Sequence, residues 1–157
     1  CDKFLRIGFE NYPFGQEELY GKNCWEFFYE QVSVPYYIRT SMFHVKRDDV
    51  GENSLMNKLN PKKEKFIFVH DDKSRGFEVN RSHFLDKNLL VLENDVSENI
   101  FHFIKLIEEA EEIHCMESSM KSLIDLYAKT DKIFYHDFRN QPLGKLTNKK
   151  WNVIKYG

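Results

Sequence analysis

What this chain lacks narrows its identity first. No stretch of about 18 apolar residues occurs in its 157 residues, so no helical membrane span is expected. Basic charge is not in excess: 23 Lys and Arg stand against 25 Asp and Glu, a formal net charge of −2. No basic stripe interleaves with aromatics, which argues against a nucleic-acid partner, because neutralising phosphates needs a basic surface. The cluster Pro61-Lys62-Lys63-Glu64-Lys65 is interrupted by Glu64 and reads as a solvated loop. Cysteine is scarce. Cys1, Cys24 and Cys115 are odd in number and lack C-x-x-C spacing, so the expectation is reduced thiols in a cytoplasmic protein rather than a disulfide framework. There is no P-loop pattern and no G-x-S-x-G elbow. His44, His83, His102 and His114 lack ligand spacing, and no metal site is expected. The chain opens at Cys1 without an initiator Met, and the expectation is a truncated or processed chain rather than a lipidated one.

Aromatic residues are abundant, with 14 Phe and 8 Tyr, and core packing is their simplest use. Residues 1–60 are aromatic-rich and irregular and read as an N-terminal or connector segment. Residues 61–157 alternate strand and helix signals, with Asn60-Pro61 as the divider. In the first part, Asn23 can cap a short helix carrying Cys24, Phe27 and Phe28, ended by Pro35. Tyr36 to Val45 reads as extended, and Asp49 as the cap of a helix with Leu55, Met56 and Leu59. In the second part, the apolar runs Lys65–His70, Leu89–Leu92, Ile113–Met116 and Lys132–His136 have the look of strands buried on both faces. A helix beginning at Asp95 or Ser97 carries Ile100, Ile104 and Ile107 inward and Glu108, Glu109, Glu111 and Glu112 outward. The next helix matches the amphipathic template at Met120, Leu123, Ile124 and Tyr127. Trp151, Val153 and Ile154 mark a last element. Strand–helix alternation at these lengths predicts an α/β domain: three layers, Rossmann-like, with a mainly parallel sheet.

Ligands of open parallel sheets bind beyond the carboxyl ends of the strands. That rule selects the loops His70–Phe77, Glu93–Ser97, Glu117–Ser119 and His136–Arg139. In the first, Lys73, Ser74, Arg75 and Gly76 combine a planar cationic fork, a hydroxyl and a glycine that lets backbone approach an anion. In the third, Ser118 and Ser119 open a helix whose free N–H groups attract phosphate, and Glu117 can accept from ribose hydroxyls. A charged surface turn and an ordinary helix cap are the simpler readings of these two loops. His136-Asp137 has the residue types of a base with an orienting carboxylate, a pairing common by chance. No catalytic residue is assigned.

The strand and polar loop Lys65–Phe77, with Arg75, and the segment Ile113–Tyr127 (IHCMESSMKSLIDLY) are similar to the C-terminal, donor-binding half of GT-B glycosyltransferases of the heptosyl- and fucosyltransferase type. The resemblance covers about half the chain. It implies diphosphate binding by Arg75, less directly Lys73, and by Ser118 and Ser119, with a nucleotide-diphosphate sugar as substrate and no other cofactor. It also implies a separate N-terminal acceptor domain, for which residues 1–60 are too short, so the chain would bind donor without transferring sugar alone. Two other readings compete. One is a non-catalytic interaction module. The other is a receiver-like phosphorylation switch on His70-Asp71-Asp72, which lacks the long helix after the acidic pair and an aspartate ending the third strand.

Overall fold

The structure, a computed structural model, describes residues 8, 12, 24–84, 87–139 and 148–156. The chain divides into two compact units, Cys1–Val45 and Lys46–Gly157. In the first, helix α1 (Cys24–Gln31) is tied to Gly8 through the Gln31 side chain, whose Nε2 donates to the Gly8 carbonyl at 2.8 Å. Edge-to-face pairs Tyr12–Phe27 and Tyr29–Tyr36 pack around it. A single helical turn, α2 (Ile38–Ser41), occupies part of the stretch expected to be extended, because Pro35 and Tyr36 accept its first backbone hydrogen bonds.

The second unit begins before the expected divider. Helix α3 (Asp49–Leu59) is capped by Asp48, which accepts from the Gly51 N–H at 3.0 Å, and it buries Leu55 and Met56 in the core beneath the sheet. Asn60 then closes the turn into the first strand by exchanging two side-chain hydrogen bonds with Glu64. The strands are β1 (Phe66–His70), β2 (Leu90–Glu93), β3 (Glu112–Met116), β4 (Ile133–Asp137) and β5 (Asn152–Lys155). They form an all-parallel sheet in the order β2-β1-β3-β4-β5. The architecture is α/β and Rossmann-like, as the alternation predicts.

Layering follows from the strand order. The chain steps from β1 to β2 and then returns past β1 to β3, reversing its direction along the sheet. With right-handed crossovers, such a reversal sends successive connections to opposite faces. One face is covered by α3, by the turn Ile100–Phe103 that leads into α4 (Ile104–Glu109), and by α5 (Ser119–Tyr127). These bury Phe103, Leu106, Ile107, Met120, Leu123 and Ile124 against Phe66, Phe68, Ile113 and Tyr135. The other face is covered by the β1–β2 connection, a thin layer with single 3₁₀ turns at Lys73–Arg75 and Arg81–His83, whose Val79 and Phe84 pack on Ile67 and Val69. The last strand is secured by Asp125, a buried carboxylate on α5 that accepts from Trp151 Nε1 at 2.9 Å and from the Asn148 N–H at 2.8 Å.

One expected surface residue lies inside. Glu112 was expected on the outer face of the preceding helix. That helix stops at Glu109, and Glu112 opens β3 with its side chain only 4% exposed. Among the described residues, no helix is long and apolar enough to cross a membrane.

Candidate functional site

The reversal after β2 leaves a topological switch point between β1 and β3. The loops that leave these neighbouring strands diverge to opposite faces, and in open parallel sheets ligands bind beside such a point. Of the four loops selected from the sequence, the two read as anion-binding leave the sheet at this point. His70–Phe77 follows β1, and Glu117–Ser119 follows β3.

The first is a closed loop. Asp72 and Phe77 exchange backbone hydrogen bonds at 2.8 and 3.0 Å, and Gly76 completes the turn at φ 75°, in the left-handed region. Within it Arg75 donates from Nε to Asp72 at 2.5 Å, and Ser74 donates to the same carboxylate at 2.6 Å. The Ser74 hydroxyl first, and Arg75 after it, hold the Asp72 carboxyl below its usual range. Lys73 leaves the loop to reach Glu93 at 2.8 Å. The charges of this turn are therefore paired locally, although the Nε contact leaves the Nη donors of Arg75 for a second partner. Arg75 is 54% exposed and lies over the Phe77 ring, 5.7 Å from its centroid. From the loop after β4, Arg139 approaches the same ring at 4.9 Å. Two guanidinium groups thus meet on one aromatic ring at the carboxyl rim.

The second loop opens α5. Ser118 occupies the cap position with an extended backbone, yet its side chain does not cap the helix. Its hydroxyl instead makes a long contact, 3.5 Å, with the Met116 carbonyl. Ser119 is exposed at the first helical position. Glu117 accepts from the Tyr135 hydroxyl at 3.3 Å and lies 3.8 Å from Lys121.

At the start of the first loop, His70 ends β1. Burial holds its imidazole down to about 4, against the opposing hydrogen bond from Asn94, so the ring is neutral at physiological pH. Its Nδ1 and the Nη1 of Arg81 are the two buried side-chain polar atoms without a hydrogen-bond partner among the described residues. Arg81 otherwise spans Asp71 at 3.1 Å and Glu93 at 2.5 Å, which ties the start of the thin layer to the end of β2. Cys115 is fully buried, and burial pushes its thiol well above the ordinary range, so it is inert as a nucleophile.

His136 and Asp137 do not form a base–carboxylate pair. Consecutive strand residues point to opposite faces. His136 faces the thin layer, where its Nδ1 meets the Tyr156 hydroxyl at 2.7 Å and its Nε2 meets His114 Nδ1 at 2.8 Å. His114 continues to Glu112 at 2.7 Å, and Glu112 to Lys87 at 2.6 Å. This cross-strand chain was not foreseen. The signal for it was faint: Glu112 and His114 alternate with apolar neighbours in one strand, and His136 falls in phase with them in the next. Arg139 carried no signal beyond its place after a strand.

Two open concavities, of about 690 and 590 Å³, lie at the opposite, amino-terminal rim around Lys65 and Leu89. Neither includes a residue selected from the sequence. Among the described residues, no group of three or more His, Cys, Asp or Glu side chains has the geometry to hold a metal ion. No protein-family model matches this chain, and no curated protein and no solved structure shows significant similarity to it.

Proposed function

We propose that the sheet unit binds the diphosphate of a nucleotide sugar at its carboxyl rim, as the donor-binding part of a glycosyltransferase. The observation that carries this reading is the adjacency of β1 and β3 at the switch point, which sets the loop of Arg75 and the start of α5 on one edge. A diphosphate needs donors from more than one direction. Arg75 offers a planar fork, and Arg139, converging on Phe77, adds a second cation from another loop. The N–H groups at the start of α5, uncapped by Ser118, supply backbone donors and the positive end of a helix dipole. Lys73, Ser74 and Gly76 complete the first loop, and Glu117 stands where a ribose hydroxyl can donate to it. The acceptor, and any base that activates it, belong to a further domain in this reading.

Isothermal titration with GDP, UDP and ADP tests the proposal, with the nucleosides as controls. The expected result is binding of at least one diphosphate and not of its nucleoside, weakened about tenfold or more in Arg75→Ala, in keeping with the 1.5–3 kcal/mol of a charged hydrogen bond. Absence of binding by all three, or equal binding by the variant, overturns it.

A further inference from the structure

Five side chains cross the sheet under the thin layer in one unbroken chain: Lys87, Glu112, His114, His136 and Tyr156. Its four contacts measure 2.6, 2.7, 2.8 and 2.7 Å in that order. The Tyr156 oxygen also accepts the Asn80 N–H at 3.1 Å. Glu112, His114 and His136 are 3%, 1% and 1% exposed, so the middle of the chain is closed to water, while Lys87 at one end is 37% exposed.

The chemistry of the groups fixes the direction of the chain. Lys87 only donates, and ionised Glu112 only accepts, so His114 must present Nε2–H to Glu112. Its Nδ1 is then an acceptor and receives Nε2–H from His136. The Nδ1 of His136 in turn receives the Tyr156 hydroxyl. With both rings neutral, every ring nitrogen and the Tyr156 hydroxyl find their partners within the chain. One added proton, on His136 Nδ1, makes that nitrogen a donor and turns the Tyr156 O–H away from the sheet, leaving the other bonds of the chain as they are. A second sets donor against donor. The surroundings oppose protonation as well. Arg81 and His83 lie on the layer above His136, Lys87 stands beyond Glu112, and, among the described residues, the carboxylates facing the chain, Glu112 and Asp71, are already engaged by Lys87 and Arg81.

The two ends of the chain are also anchors of the covering layer. Asn80 and Lys87 belong to that layer, and between them Phe84 lies tilted against His114 at 4.6 Å and His83 meets His136 edge-on at 5.6 Å. We propose that the Lys87–Glu112–His114–His136–Tyr156 chain is an acid-sensitive latch, which holds the β1–β2 connection on the sheet at neutral pH and frees it when protons enter. Opening exposes two histidines of ordinary basicity, so acid favours the open form by about tenfold per pH unit for each proton taken up below about pH 6.5. This inference is independent of the nucleotide reading.

Amide hydrogen exchange on the full chain tests it, with rates corrected for the intrinsic effect of pH. Between about pH 7.5 and pH 5.5, opening of residues 78–84 is expected to rise by about tenfold or more, while α4 and α5 keep their protection. The double variant H114Q/H136Q retains donors and acceptors without titrating, and it should abolish the step. Nitrogen-15 spectra of the wild type at pH 7.5 should show both imidazoles as neutral Nε2–H tautomers. Layer protection indifferent to pH, an unchanged step in the double variant, or a charged or Nδ1–H ring at pH 7.5 each overturns the latch. If the double variant does not fold, the wild-type exchange series and the tautomer spectrum decide.

Discussion

The two faces of this sheet solve the same problem with different materials. The edge strands β2 and β5 expose Val91 and Val153, and β2 thereby departs from the expectation of burial on both faces. The inner strands β1, β3 and β4 bury both of their sides. The helical face does so with hydrocarbon: Phe68 against Phe103 at 5.7 Å between ring centres, with Leu106, Ile107, Leu123 and Ile124 fully or almost fully buried around them. The other face has no helix among its described residues. A layer of single turns lies over Ile67 and Val69 at one side, and over a row of buried glutamate and histidine and a half-buried tyrosine at the other. Helices bring their own hydrogen bonds and need only apolar contact. A connection with little regular structure must have its polar groups satisfied by what lies beneath it, and the sheet supplies them. The helical face is therefore expected to be stable and indifferent to pH. The thin face is expected to be conditional.

The sharpest way to break this comparison is to empty the helical face. Phe103→Ala should cost about 3–5 kcal/mol in urea unfolding, because the ring is 1% exposed and its cavity is closed by α3 and the sheet. The corresponding cut on the thin face is Glu112→Ala. It strands the His114 N–H and a half-buried lysine, and should cost about 2–3 kcal/mol at neutral pH. Acid separates the faces further. Burial presses His136 down to about 3, with His114, His83 and Arg81 adding to the effect, and burial also lowers His114. Since folded-state basicity is depressed, stability is full above the unfolded value near 6.5 and is lost as pH falls. The expected slope is about 1.4 kcal/mol per pH unit for each histidine, measured by unfolding midpoints across that range. Gly76→Ala forces a left-handed turn on an L residue and should cost about 1 kcal/mol, with no clash, since the space around the glycine is open. Arg75→Ala should be the mildest, within about 0.5 kcal/mol, because its partner Asp72 is a surface contact. A large loss there would make the arginine a structural strut.

The same contrast explains what could be read from the residues. Strands β1 to β4 and helix α5 were legible because their burial is apolar and periodic: Phe66–Val69 are all buried, and Met120, Leu123 and Ile124 fall on one helix face. The thin face was not. Glu112 follows Glu108, Glu109 and Glu111 in sequence and reads as one more solvated glutamate, and nothing local reveals that the helix has already ended. Tyr156 and His136 are twenty residues apart and meet only through strand register. Local pairing was equally hidden: the sequence offers Arg75 as a cation at a rim, and the fold gives it Asp72, Phe77 and, from a distant loop, Arg139. The boundary of the sheet unit moved from Asn60 to Val45 for a related reason. Leu55 and Met56 were legible as the apolar face of α3, but nothing local shows that this face packs in the sheet core.

The account stands most directly on which rim of the sheet receives a ligand. Titration of the nitrogen-15-labelled chain with GDP, UDP or ADP, followed by amide shifts, decides it. The expected result is perturbation confined to residues 72–77, 117–121 and 138–139 at the carboxyl rim. Shifts centred instead on Lys65 and residues 88–91, at the amino-terminal rim, or no shifts with any of the three, would contradict it.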